Sequence, residues 1–170
     1  MAEQRPRFLG THHHGIDEKG RMVLPAKIRA QLGETAILAK LDRCIGLFTP
    51  EEFDRVAARF EDALDEAEEA DDEEAIERAL KALRRFMADA SEVTPDQQGR
   101  IVVPAVLREY AGLRDQVVTN GVLRRAEIWA RDVWEADEAA SDEEVARTAR
   151  TRGLTRGRRS RAAEREPSES

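Results

Sequence analysis

The segment DEKGRMVLPAKIRAQLG, Asp17 to Gly33, returns in diverged form as DQQGRIVVPAVLREYAG, Asp96 to Gly112. Asp, Gly, Arg, Pro, Ala and Arg recur in identical places at an offset of 79, and after a two-residue insertion the likeness resumes at an offset of 81. There Phe48 answers Trp129, Phe53 answers Trp134, and Ile37 answers Val118. A repeated unit of this size cannot secure a core of its own, so the two copies are expected to complete each other's.

Each copy reads as β-turn-β-α-β-β-α. Gly20 and Gly99 can take positive φ, which makes D-x-x-G-R a turn in which the Asp side chain caps backbone amides. MVL and IVV after the turns favour strand. Pro25 and Pro104 sit where short helices begin, and Gly33 and Gly112 where they end. AILAKL and IGLF in the first copy, and QVVTN and AEIWA in the second, supply further strands. Thr49-Pro50-Glu51-Glu52 reads as a capping box opening a helix, with Glu52 at the third position.

Charge is unevenly spread. The chain of 170 residues has a net charge of −7, which at first sight argues against nucleic acid. Yet residues 61–77 hold eleven acids and no base, and residues 136–146 add a further −5. Residues 1–60 and 78–135 are each +2, and residues 147–170 are +5. The acidity thus sits in two short segments and leaves basic surface elsewhere. The acid-and-alanine spacer favours helix, and Ile76, Ala79, Leu80, Leu83 and Met87 share the helical face that packs onto the body. The Arg-, Gly- and Ser-rich stretch from residue 147 reads as a disordered tail. MAEQRPRFLG lacks the apolar run of a signal peptide, and no stretch reaches the ~18 apolar residues of a membrane span. One cysteine, Cys44, excludes an internal disulfide framework and suits a reducing cytoplasm.

The stretches FLGTHHHGIDEKGRMVLPAKIR, ASEVTPDQQGRIVVPAVLREYAGL and AEIWARDVW resemble the MraZ family, bacterial regulators built from two SpoVT/AbrB-type modules, over about residues 8–135. A single D-x-x-x-R is uninformative; the pair Asp17–Arg21 and Asp96–Arg100, each inside a full repeat, is specific. The resemblance implies a mixed α+β fold of two tandem swapped-hairpin or double-psi β-barrel modules, with short helices and a helical spacer. The chain then divides into an N-terminal extension (1–10), a first module (11–53), an acidic helical spacer (54–89), a second module (90–133), an acidic helical end (134–146) and an Arg-rich tail (147–170). It also implies a ring-like homo-oligomer, a transcription regulator and most simply a repressor. Such an oligomer would bind short direct repeats in double-stranded DNA upstream of a division and cell-wall gene cluster, in a cytoplasmic, nucleoid-associated setting. The strongly acidic spacer and the Arg-rich tail depart from the family pattern.

Arg21 and Arg100 are the first candidates for DNA contact, since arginine suits bidentate bonding to phosphate or a guanine edge. The structural alternative is an Asp17–Arg21 or Asp96–Arg100 pair that merely pins the turn. Lys19 stands where the second copy has Gln98, which favours the first loop. Lys27 and Arg29, with Arg108 in the second copy, suit phosphate contact or structural pairing with an acid of a neighbouring unit. Asp17, Gly20, Asp96 and Gly99 are assigned to shaping the turns. In His12-His13-His14 only His12 and His14 share a strand face, and no cysteine or repeated acid completes a metal site. Cys44, Trp129, Trp134 and Phe53 read as core or subunit-interface residues.

No nucleophile–base–orienter set, phosphate-binding glycine loop or zinc signature is present. A double-psi barrel can carry an aspartic-protease site, but Asp17 and Asp96 each have an Arg four residues on and should be ionised. Neither an enzyme, a cofactor, a small-molecule substrate nor a membrane partner is therefore expected. The competing reading is an oligomeric protein-interaction scaffold that uses the acidic spacer as its contact surface.

Overall fold

Why two copies make one body is visible in the strand pairing of the computed structural model, which describes residues 4–151. The first copy forms β1 (Thr11–Gly15), β2 (Arg21–Val23), α1 (Ala26–Arg29), β3 (Ala36–Lys40) and β4 (Ile45–Phe48). The spacer forms α2 (Pro50–Glu69) and α3 (Glu73–Met87). The second copy forms β5 (Ser91–Val93), β6 (Arg100–Val102), α4 (Ala105–Ala111), β7 (Gln116–Val122) and β8 (Arg125–Ala130), and α5 (Arg131–Thr151) follows. One sheet is ordered β1-β7-β8-β4-β3-β5 and a second pairs β2 with β6. Every pairing is antiparallel. The first strand of each copy lies on the other copy: β1 on β7, and β5 on β3. The copies have exchanged strands. This is the mixed α+β architecture of tandem modules that the repeat implied.

Matched positions fill the central core. Met22 and Ile101, Leu24 and Val103, Ile28 and Leu107, and Leu47 and Ile128 are all buried in one cluster. The large sheet's other face is covered differently in its two halves. Phe48, Phe53 and Phe86 pack together over the first copy, with Phe60 against them. In the second copy Trp129 meets Trp134 edge to face at 5.8 Å, as Phe48 meets Phe53 at 6.0 Å. Cys44 is buried beside Trp129, and burial pushes its thiol well up.

Three local readings need correction. Gly112 does end α4, with φ 65, but α1 stops at Ala30, so Gly33 is not a helix cap. Thr49 caps α2 by accepting from the Glu52 amide at 3.2 Å. The Glu52 carboxylate does not close the capping box; it is buried between Arg5 and Arg55, taking two bonds of 2.7 Å from Arg5. Arg5 accordingly holds that carboxyl below the usual glutamate range. The spacer is a helical hairpin, turned at Asp71 with φ 53 and re-started by Asp72, whose side chain accepts from the Ala75 amide. On α3 the face continues from Leu83 to Phe86, and Met87 is 44% exposed. Both positions lie one turn from Leu83, and the aromatic cluster takes Phe86.

The chain divides into two units, the first ending at Trp134 and the second running from Glu135. Of the second, the described residues are helix to Thr151, so residues 147–151 of the expected tail are helical. The rest of that tail, residues 152–170, lies outside the described residues. No helix among the described residues is long and apolar enough to cross a membrane.

The aromatic cluster sets the first prediction. Phe86→Ala should lower stability to denaturant by about 3–5 kcal/mol, the range for truncating a buried phenylalanine, whereas Met87→Ala should stay within about 0.5 kcal/mol. Equal effects would show that the two side chains share the burial.

Candidate nucleic-acid interface

The D-x-x-G-R signature folds into the same turn twice, and each of its residues has a task. In the first copy Asp17 Oδ1 accepts from the amides of Lys19 at 3.0 Å and Arg21 at 2.9 Å. Its Oδ2 accepts from Arg21 Nε at 2.6 Å. In the second copy Asp96 Oδ1 accepts from the Gln98 and Arg100 amides, both at 2.9 Å, and Oδ2 from Arg100 Nε at 2.8 Å. Bonds from the arginine amide, then from its side chain, hold both carboxyls below the usual aspartate range.

Gly20 and Gly99 sit at φ 81 and 77, the left-handed region that a side chain resists. Space is equally short. A Cβ on Gly20 would lie 2.5 Å from the Val103 carbonyl oxygen and 2.7 Å from Arg108 Nε, and one on Gly99 would lie 2.7 Å from Arg29 Nη1. The close approach is reciprocal: an arginine from the short helix of each copy lies over the turn glycine of the other. Arg108 goes further, donating to the Val103 carbonyl at 3.0 Å and to that of Glu18 at 3.1 Å. Among the described residues, the hydrogen-bond partners of Arg108 are these two backbone carbonyls.

The ladder between β2 and β6 joins the two turns. Arg21 faces Val102, Met22 faces Ile101, and Val23 faces Arg100. Pairing extends one residue each way, with the Leu24 amide donating to Gly99 at 2.9 Å and the Val103 amide to Gly20 at 2.8 Å. Met22 and Ile101 point into the core, so period-two alternation turns Arg21, Val23, Arg100 and Val102 to solvent together. The two arginines are diagonal neighbours on one face, roughly 7–8 Å apart by ladder geometry. Read separately, the loops gave no sign of this.

The pinning pair and an outward-facing guanidinium coexist. Asp17 and Asp96 engage only Nε, and the arginine side chains remain 48% and 47% exposed. The aspartates fix each fork and leave its Nη groups at the far end. Lys19 is exposed, but Glu18 beside it cancels its charge, so D-E-K-G-R is no more basic in sum than D-Q-Q-G-R. The first copy's excess comes instead from Lys27, which stands where the second copy has Val106; Lys27 and Arg29 are both exposed on α1. The histidines lie elsewhere. His12 and His14 share the more covered face of β1, and His14 Nε2 shares a 2.7 Å hydrogen bond with the Thr119 hydroxyl. Burial lowers the His14 pKa.

The model of the family described as MraZ protein matches residues 7–79 and again 86–157. A protein of Bifidobacterium longum named transcriptional regulator MraZ is 41% identical over 144 residues, covering 84% of this chain and 90% of that one. Its namesake in Acetivibrio thermocellus is 38% identical over 144 residues, covering 82% and 94%. That of Salinispora tropica is 38% identical over 141 residues, covering 82% and 92%.

Two predictions test the turn. Gly20→Ala should cost at least about 1–3 kcal/mol, since both conformation and space oppose it, while Gly33→Ala, with nothing within 4 Å of its Cβ, should be nearly neutral by chemical denaturation. Carboxyl titration followed by NMR should place Asp17 and Asp96 below ordinary aspartate. The turn's stabilisation is then fully present above the ordinary aspartate range and lost as pH falls through the depressed folded values. In Arg21→Ala the Asp17 midpoint should rise only part way, because the backbone amide remains as the larger cause.

Proposed function

The chain belongs to the MraZ family, and on that footing we propose that it regulates transcription by binding double-stranded DNA through the ribbon of β2 and β6. Arg21 and Arg100 make the principal contacts, with Lys19, Lys27 and Arg29 reaching the flanking phosphates, while Asp17, Gly20, Asp96 and Gly99 hold the turns in shape. The observation that carries this reading is the diagonal placing of two half-exposed guanidinium groups, each aimed by its own aspartate. A planar fork fixed at Nε keeps its far donors for a phosphate or a guanine edge, with little rotamer freedom left to lose.

One subunit offers few such contacts, and a handful of phosphates gives only weak, salt-sensitive binding. A homo-oligomer, ring-like as the resemblance implies, gains through effective concentration when its copies engage successive repeats. The proposed target is the region upstream of a division and cell-wall gene cluster. The effect there is repression, exerted in the cytoplasm at the nucleoid.

Fluorescence anisotropy against the chain's own upstream DNA and a scrambled duplex, at two salt concentrations, tests this. Arg21→Ala and Arg100→Ala should each weaken specific binding by about 10- to 100-fold, as loss of one bidentate contact predicts, with oligomer size unchanged by light scattering. Equal binding by wild type and Arg21→Ala would remove DNA from the ribbon. Loss of function on neutralising the acidic α2–α3 turn instead would establish the scaffold reading.

A further inference from the structure

Half of the ribbon's outward face is apolar. Val23 and Val102 are 53% and 54% exposed, each directly opposite an arginine and diagonal to the other valine. They occupy the same strand position in their two turns, one residue beyond the buried Met22 and Ile101. A scattered surface valine needs no explanation. Two of them alternating with two pinned arginines, on the solvent side of a three-residue ribbon, form a patch of definite chemistry: two guanidinium groups, each held at Nε by its turn aspartate, and two isopropyl groups.

We infer that Val23 and Val102 contact thymine 5-methyl groups in the major groove, so that the ribbon reads apolar as well as hydrogen-bonding features of its site. This rests on the DNA-binding reading above. A two-stranded ribbon fits the major groove, and the thymine methyl is the apolar marker that groove displays. Valine suits the task because it has no hydrogen-bonding group to leave unsatisfied and a single stiff χ1, so little side-chain entropy is lost on contact. The diagonal layout places each methyl contact beside a guanidinium, about one ladder spacing away. A thymine adjacent to a base or phosphate held by Arg21 or Arg100 is therefore within reach of the opposite valine. The same patch also excludes water from around the arginine contacts, which strengthens them.

Replacing deoxythymidine by deoxyuridine in the upstream duplex removes the methyl and leaves base pairing and phosphates in place. Wild type should lose about three- to fivefold in affinity per contacted thymine, the worth of one buried methyl. Val23→Ala and Val102→Ala, checked for unchanged oligomer size and thermal unfolding, should bind the thymine duplex more weakly and lose little further on the uracil duplex. A wild type that binds both duplexes equally, while still preferring them to scrambled DNA and still depending on Arg21, overturns the valine contacts and leaves the DNA reading standing. A uracil penalty that is equally large in the valine variants overturns them too, since it then comes from duplex shape. No preference for the upstream duplex in either form defeats the DNA reading itself.

Discussion

The ladder between β2 and β6 is the constraint on which the rest of the structure hangs. Neither strand has another partner among the described residues, and each is only three residues long. An isolated ribbon of that length is marginal in water. Here it is stabilised from beneath by Met22 and Ile101 and at its ends by hydrogen bonds to Gly20 and Gly99. Both glycines hold a left-handed backbone, and the opposing copy crowds them, with the Val103 carbonyl and Arg108 at Gly20 and with Arg29 at Gly99. Remove one copy and the other loses its ladder, its cover over the turn and a strand of the large sheet together. Folding and the presentation of Arg21 and Arg100 therefore share one cause.

How much of this was legible follows from the range of each interaction. The turns were readable because the bonds centred on each Asp fall within five residues, from Asp to Arg. Strand runs and Pro-started helices were readable by period and by local chemistry. The repeat announced that the copies interlock, yet the partner of each strand is a long-range fact that no local pattern carries. The ribbon's register, and with it the meeting of Arg21 with Arg100, was out of reach for that reason. The recurrence of Arg29 and Arg108 was the one available signal of the crossed contacts over the turn glycines, and it was compatible with phosphate binding as well. Glu52 shows the limit most sharply. Its spacing from Thr49 fits a capping box, but Arg5, distant in sequence, outbids the local amide with a two-pronged charged contact.

Charge is segregated along the same lines. The eleven acids of residues 61–77 lie on the far part of α2, the turn and the start of α3. The face of α2 that packs, through Phe53, Val56, Ala57 and Phe60, is nearer its start. The hairpin thus carries its like charges where water solvates them and its aromatic contacts where the sheet needs cover. A net charge of −7 is consistent with this division, and says little about the ribbon, where local charge is set by two arginines and their aspartates.

The two copies share a frame but not a chemistry, and the difference bears on direction. A ribbon with true two-fold symmetry would meet a duplex equally well either way round, which suits a palindrome. Direct repeats demand that every copy read in one sense. The asymmetry lies in the short helices: Lys27 and Arg29 stand exposed on α1, whereas the matching positions on α4 hold Val106, also exposed, and Arg108, drawn onto the carbonyls of Val103 and Glu18. One end of the pseudo-symmetric face therefore presents one extra cation, Lys27, and a more exposed arginine, where the other presents an apolar side chain and a half-buried arginine. On the proposed reading, phosphate contact beyond the ribbon favours the first copy's end, and that preference would orient each subunit on its repeat.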